Sequence, residues 1–158
     1  MNSTFSRFQV IGRPLLLGLA GVLFSFAVLR KTPVEQVKDY YSSHLRQLHS
    51  ALTHFQEVTY QADTTALRAQ FAACRTEYKQ LEFAVEYYYP HAASRINGAA
   101  LPETEPGEPG EVIPPTGFQV LEEFVYAAPD SRTNRDLIHQ ELDNLLYQVR
   151  HLEQQAPT

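Results

Sequence analysis

Apolar residues recur along this chain at alternating three- and four-residue spacings, the pattern of helices that each bury one stripe. The most sustained run covers residues 64–90, with Leu67, Phe71, Cys74, Tyr78, Leu81, Val85 and Tyr88 on one seam. At about 1.5 Å per residue this segment spans roughly 40 Å, a rod along which other helices can pack. Asp63 is placed to accept from its first free amides. Pro90 ends it, because proline lacks an amide hydrogen and its ring clashes with the preceding turn. A preceding seam runs Val34, Val37, Tyr41, Leu45, Leu48, Leu52 and Phe55. It opens on Thr32-Pro33-Val34-Glu35, a capping box with proline at the first helical position. Only the short stretch Gln61-Ala62-Asp63 parts the two seams, which predicts an antiparallel helical hairpin.

After Pro90 the pattern breaks. Residues 91–116 contain Asn97-Gly98 and then LPETEPGEPGEVIPPT, with five prolines and four glutamates. An acidic, extended loop without regular structure is expected, since the prolines remove donors and the glycines loosen the backbone. Its carboxylates lack the residue order of a calcium-binding loop, so it reads as a solvated spacer. Helical spacing returns at 117–126, where Phe118, Leu121 and Val125 form a buried stripe and Thr116 with Gln119 forms a second capping box. A last helix follows Pro129-Asp130-Ser131, on the seam Ile138, Leu142, Leu145, Val149 and Leu152. The predicted fold is all-α: an up-down bundle of three long helices and one short one, residues 32–158. The same arrangement would form the first part of a larger, incomplete bundle.

Residues 1–31 form a separate region. Arg7 and Arg13 precede an apolar run over residues 14–29, and Arg30-Lys31 closes it. The run is short of the ~20 residues that cross a bilayer squarely. It fits either a signal peptide, with Ser25-Phe26-Ala27 as a passable cleavage site, or an uncleaved membrane anchor. Both readings mean export, in the second case with the chain still attached to the membrane.

Composition narrows the chemistry. The net charge is -5 with no Lys/Arg cluster outside the N-terminal region, which argues against a nucleic-acid partner. A single cysteine, Cys74, rules out an intrachain disulfide, a multi-cysteine zinc site and an iron–sulfur cluster. There is no C-x-x-C-H, so covalent haem has no attachment point in these residues. His44, His49 and His54 recur at intervals of five on one helix, so successive rings are turned by roughly 140° and share no face. No motif joins Ser, His and Asp, and H-E-x-x-H is absent, which sets aside a free-standing hydrolase.

Three carboxylates attract attention. Glu122 lies four residues after Phe118 and three before Val125, so it is expected at the edge of the buried stripe, where a carboxylate needs a partner or a metal. Glu82 flanks the long seam in the same way, and Glu86 is one turn further on. Convergence of Glu122, Glu82 and Glu86 inside the bundle would give a carboxylate-based iron site. Pairing with Arg95 or with a hydroxyl of Tyr87, Tyr88 or Tyr89 is the structural alternative. No Glu-x-x-His, the usual companion of such sites, occurs here.

The stretches YKQLEFAVEYYYP, RINGAALPE, VIPP and GFQVLEEFVY together resemble imelysin-like helical domains. They are similar in particular to the N-terminal helical extension of Bacteroidetes-type di-haem cytochrome c peroxidases. The similarity runs from about Lys38 to the end. It implies an exported helical accessory domain that docks or positions a haem peroxidase module, in cis or in trans. Relatives of this kind also handle iron, which implies the alternative of a periplasmic iron-binding protein. Two departures weaken an inherited site. The motif histidine of the resembled family is Gln119 here, so only Glu122 carries over. Haem c itself would reside in a C-terminal region beyond these residues, and peroxidase chemistry with it.

Overall fold

The structure is a computed structural model and describes residues 31–104, 112–127 and 131–156. The chain divides into a leading unit, residues 1–37, and a body, residues 38–158. The apolar run 14–29 lies outside the described residues. Among those described, no helix is long and apolar enough to cross a membrane.

Five helices account for most of the described chain: α1 (Pro33–Val58), α2 (Thr64–Tyr88), α3 (Pro90–Asn97), α4 (Phe118–Ala127) and α5 (Arg132–Gln155). An all-α helical bundle is the observed architecture. The capping box at the start of α1 forms as expected: the Thr32 amide donates to Glu35 Oε2 at 2.6 Å, and the Glu35 amide to Thr32 Oγ1 at 3.2 Å. Asp63 caps α2 by accepting from the Ala66 amide at 2.8 Å, and Ser131 caps α5 by accepting from Asn134 at 3.1 Å. Each satisfies one of the amides that a helix start leaves without an intrahelical partner.

The core is one contiguous cluster drawn from all five helices. Burial of the α1 stripe begins only at Tyr41; Val34 and Val37, expected on the same seam, are exposed at 65% and 60%. At the other extreme, the α2 stripe is buried through Val85, but Tyr88 is 70% exposed. Periodicity shows which face of a helix is apolar, not how far along it a partner extends.

Helices α1 and α2 run antiparallel: the Tyr40 hydroxyl donates to Gln80 Oε1 at 2.9 Å, and His44 Nδ1 lies 3.1 Å from Glu77 Oε2. Helix α5 is antiparallel to α1 on its other side. There His49 Nδ1 meets the Glu153 carboxylate at 2.9 Å, Gln56 donates to Asp143 at 2.7 Å, and Tyr60 donates to Asp136 at 2.8 Å. The turning histidine positions explain this division of labour: His44 reaches one neighbour, His49 the other, and His54 stays on the surface with Glu57. The α1–α2 connection is clasped from α5, where the Arg135 guanidinium donates to the carbonyls of Thr59 and Ala62.

The fourth corner corrects the expectation of a single short helix. Both α3 and α4 pack on α2 and on α5, and they also contact one another. The start of α4 lies against the end of α3: Gln119 Nε2 donates to the Asn97 carbonyl at 3.2 Å. Pro90 ends α2 but also begins α3, because a first-turn position needs no amide hydrogen and its fixed φ suits a helix. Tyr89, at φ -135° and ψ 57°, makes the corner, and Ala92 and Ile96 bury the inner face of α3. The fourth column is thus a split helix, interrupted by residues 98–117. That excursion carries a minimal antiparallel ladder, β1 (Glu103–Thr104) with β2 (Val112–Ile113), in which Glu103 faces Ile113 and Thr104 faces Val112. Residues 105–111, most of the acidic stretch, lie outside the described residues.

Candidate functional site

The break between α3 and α4 gathers the polar groups that reach the interior. A helix start has free amides that need acceptors, and here they lie under the core rather than in water. Gly117 occupies the cap position with φ 99°, and its carbonyl accepts the first helical bond, from Leu121 at 3.0 Å. The acceptor for the opposite need comes from α5. Glu141, only 5% exposed, takes the Gly117 amide and the Thr116 hydroxyl on Oε1, and the Asn144 side-chain amide on Oε2 at 3.2 Å. Charge-assisted bonds of this kind are stronger than neutral ones, and three of them can hold a buried carboxylate. The Thr116–Gln119 capping box does not form, because Gly117 rather than Thr116 takes the cap position, and Gln119 turns to α3.

Glu141 was not among the sequence-derived candidates, although a signal existed. It lies three residues after Ile138 and four before Leu145, on the flank of the α5 seam, where a carboxylate needs partners. The same geometry pointed to Glu122, which is exposed. The difference lies in which flank of each stripe is covered. On α4, Val120 is buried and Phe124 half-buried, so the covered arc extends away from Glu122. At about 100° per residue, Glu122 falls just past the opposite edge.

A second polar ladder flanks the break from α2. Glu82 accepts from Lys79 Nζ at 2.6 Å and from Asn97 Nδ2 at 2.9 Å, while Asn97 Oδ1 accepts from Arg75 at 3.1 Å. The expected partners of Glu82, a tyrosine hydroxyl or Arg95, are replaced by Lys79 and the last residue of α3. Glu86 is exposed. Glu122, Glu82 and Glu86 are not gathered into one site, because one is committed to the α3 junction and the other two face outward. Among the described residues, no group of three or more His, Cys, Asp or Glu side chains could hold a metal ion.

Between α1 and α5 lies an open cleft of about 540 Å³, lined by Arg46, His49, Ser50, Thr53, His54, Glu57 and Glu153. Its charges oppose one another, and the His49–Glu153 pair serves to join the two helices. The Thr53 hydroxyl is spent on the His49 carbonyl at 2.9 Å, so it is engaged as a donor rather than presented to the cleft.

Cys74 is fully buried on the α2 stripe, and burial pushes its thiol up to about 12. Burial likewise pushes the Tyr41 hydroxyl up to about 12, with Tyr89 adding to it, and raises Tyr78 in the same direction. The folded chain thus keeps these protons at pH values where the unfolded chain has released them. Stability is full below the unfolded values, near 9 and 10, and is expected to fall as pH rises toward 12. Urea titrations at pH 8, 9.5 and 11 would check this, with the midpoint expected to decrease in that order. Alkylation of Cys74 at pH 8 should proceed only as fast as the chain opens, since the thiolate is the nucleophile.

The remaining feature is apolar. Phe83, Tyr87 and Tyr88 crowd the end of α2 at 62%, 78% and 70% exposure. The rings of Tyr87 and Tyr88 meet edge to face with centroids 4.8 Å apart. No protein family, curated protein or solved structure matches this chain.

Proposed function

We propose that this chain is an exported helical accessory module that acts by docking, held at the membrane by residues 14–29. The observation that carries this reading is the use made of the interior polar groups. Glu141, Asn97, Glu82 and Arg135 tie helices to one another and to their connections, which is how a rigid scaffold presents a fixed surface. The exposed aromatics at the end of α2 are the kind of surface such a scaffold offers. The partner in this reading is a haem peroxidase module, and it rests on the similarity of GFQVLEEFVY, RINGAALPE and VIPP described above.

The test uses periplasmic and membrane fractions of the native host, cross-linked, resolved on a denaturing gel and probed with an antibody to residues 32–158. A haem-staining band well above 18.0 kDa that carries the epitope is expected if the module is joined to its partner in cis. A band near 18.0 kDa that shifts to a haem-staining adduct only on cross-linking gives the trans arrangement. An epitope band free of haem under both conditions removes the peroxidase partner.

A further inference from the structure

Asn97 is the last residue of α3, and Gly98 caps that helix where the α3–α4 break begins. Asparagine followed by glycine carries a chemistry of its own. The backbone nitrogen of the glycine attacks the side-chain carbonyl carbon of the asparagine, since no Cβ hinders the approach. The new N–C bond closes a five-membered imide, and the side-chain nitrogen leaves as ammonia with the proton of the backbone amide. Water then opens the ring at either carbonyl. One opening gives aspartate. The other gives isoaspartate, in which the main chain runs through the former side chain and gains a methylene. Water is the sole co-reactant.

Each group this reaction needs is engaged in the folded chain. The Gly98 amide donates to the Ser94 carbonyl at 2.8 Å. The Asn97 side-chain amide donates to Glu82 Oε1 at 2.9 Å, and its oxygen accepts from Arg75 Nη1 at 3.1 Å. The Asn97 main-chain carbonyl accepts from Gln119 Nε2 at 3.2 Å. The attacking nitrogen is thus held by α3 itself, the attacked carbon by α2, and the peptide between them by α4. Bringing nitrogen to carbon breaks the Ser94 bond and swings the side chain off α2, with the freed polar groups left in a half-buried place.

We propose that Asn97-Gly98 is a latent deamidation site, held shut by the α3–α4 junction and converted when that junction opens. The conversion runs one way. Aspartate at this position keeps the Arg75 bond but sets a second carboxylate against Glu82 where a donor stood. Isoaspartate does more, because the carbonyl that meets Gln119 becomes a free carboxylate and the added methylene lengthens the turn. The packing there is tight: a Cβ on Gly117 would already stand 2.4 Å from the Ile96 carbonyl oxygen. A chain that has opened and reacted no longer docks α4 on α3 as before, so the pair leaves a chemical record of opening.

Cleavage after glutamate releases residues 87–103, in which Asn97 is the one side-chain amide, so the mass change from amide to acid reports this site alone. The full chain and a synthetic peptide of residues 87–103 would be incubated side by side at pH 8. Deamidation is expected to be at least about tenfold slower in the protein, because reaction waits on local opening. Glu141→Gln, which loosens the start of α4, should speed it at least about fivefold over wild type. Asn144→Ala, which removes the donor to Glu141 Oε2, replaces that variant should it fail to accumulate. The deamidated chain, separated by its added negative charge, should exchange the Gly117 and Leu121 amide hydrogens faster than its parent. Equal rates in protein and peptide overturn the guarding role. A wild-type rate in the loosened variant uncouples the site from the junction and overturns the proposal. Unchanged exchange after deamidation overturns the one-way step.

Discussion

Glu141→Ala is expected to cost about 3 kcal/mol of folding stability, the penalty for leaving buried donors without an acceptor. The substitution strands the Gly117 amide, the Thr116 hydroxyl and the Asn144 side chain at once. It also leaves a void under the start of α4, and water that fills it cannot restore a charge-assisted geometry. At about 3 °C per kcal/mol for a chain of this size, the melting temperature should fall by roughly 10 °C. Glu141→Gln keeps the shape and one acceptor oxygen but turns an amide toward the same donors, so an intermediate loss of about 1–2 kcal/mol is expected. Urea denaturation followed by far-UV ellipticity measures both. Wild-type stability in Glu141→Ala, within about 0.5 kcal/mol, would show that this node does not hold α4 in place.

Gly117→Ala should be at least as damaging, for reasons of backbone rather than charge. At φ 99° an L side chain is strained. A Cβ there would also sit 2.4 Å from the Ile96 carbonyl oxygen and 2.8 Å from that of Arg95. Both are backbone atoms of α3, so relief requires moving one helix off the other. A loss of about 3 kcal/mol or more is expected. Gly117 and Glu141 share one node, and the double variant should lose less than the two single losses added together. A fully additive double variant would mean that the two residues act independently, and that the α3–α4 junction is not a single structural unit.

These residues also mark where sequence reasoning reached its limit. The seams of α1, α2 and α5, the short connection between the first two, the Thr32–Glu35 box and the Asp63 cap were all legible. Each depends on residues within a few positions of one another, and the helical repeat places them without reference to the rest of the fold. Pro90 was half legible. A proline both stops one helix and favours the start of the next, and only the packing of Ala92 and Ile96 against the bundle decides for a start. The Thr116–Gln119 box satisfied the local rule and still did not form, because Gly117, its amide held by Glu141 of α5, takes the cap position instead.

The carboxylates make the same point about depth. Glu122 and Glu141 stand in equivalent relation to their stripes, and sequence offers no means of ranking them. The neighbours of α4 and α5 cover one flank and leave the other in water, so one acid is exposed and the other buried. By itself the sequence determined the helical class, the apolar face of each long helix and the exclusion of cysteine-based metal and haem chemistry, since these follow from spacing and residue type. Tertiary structure decided where burial stops along a stripe, which acid becomes an internal cap and how two short helices share one column. Those outcomes depend on surfaces that meet only when distant segments pack.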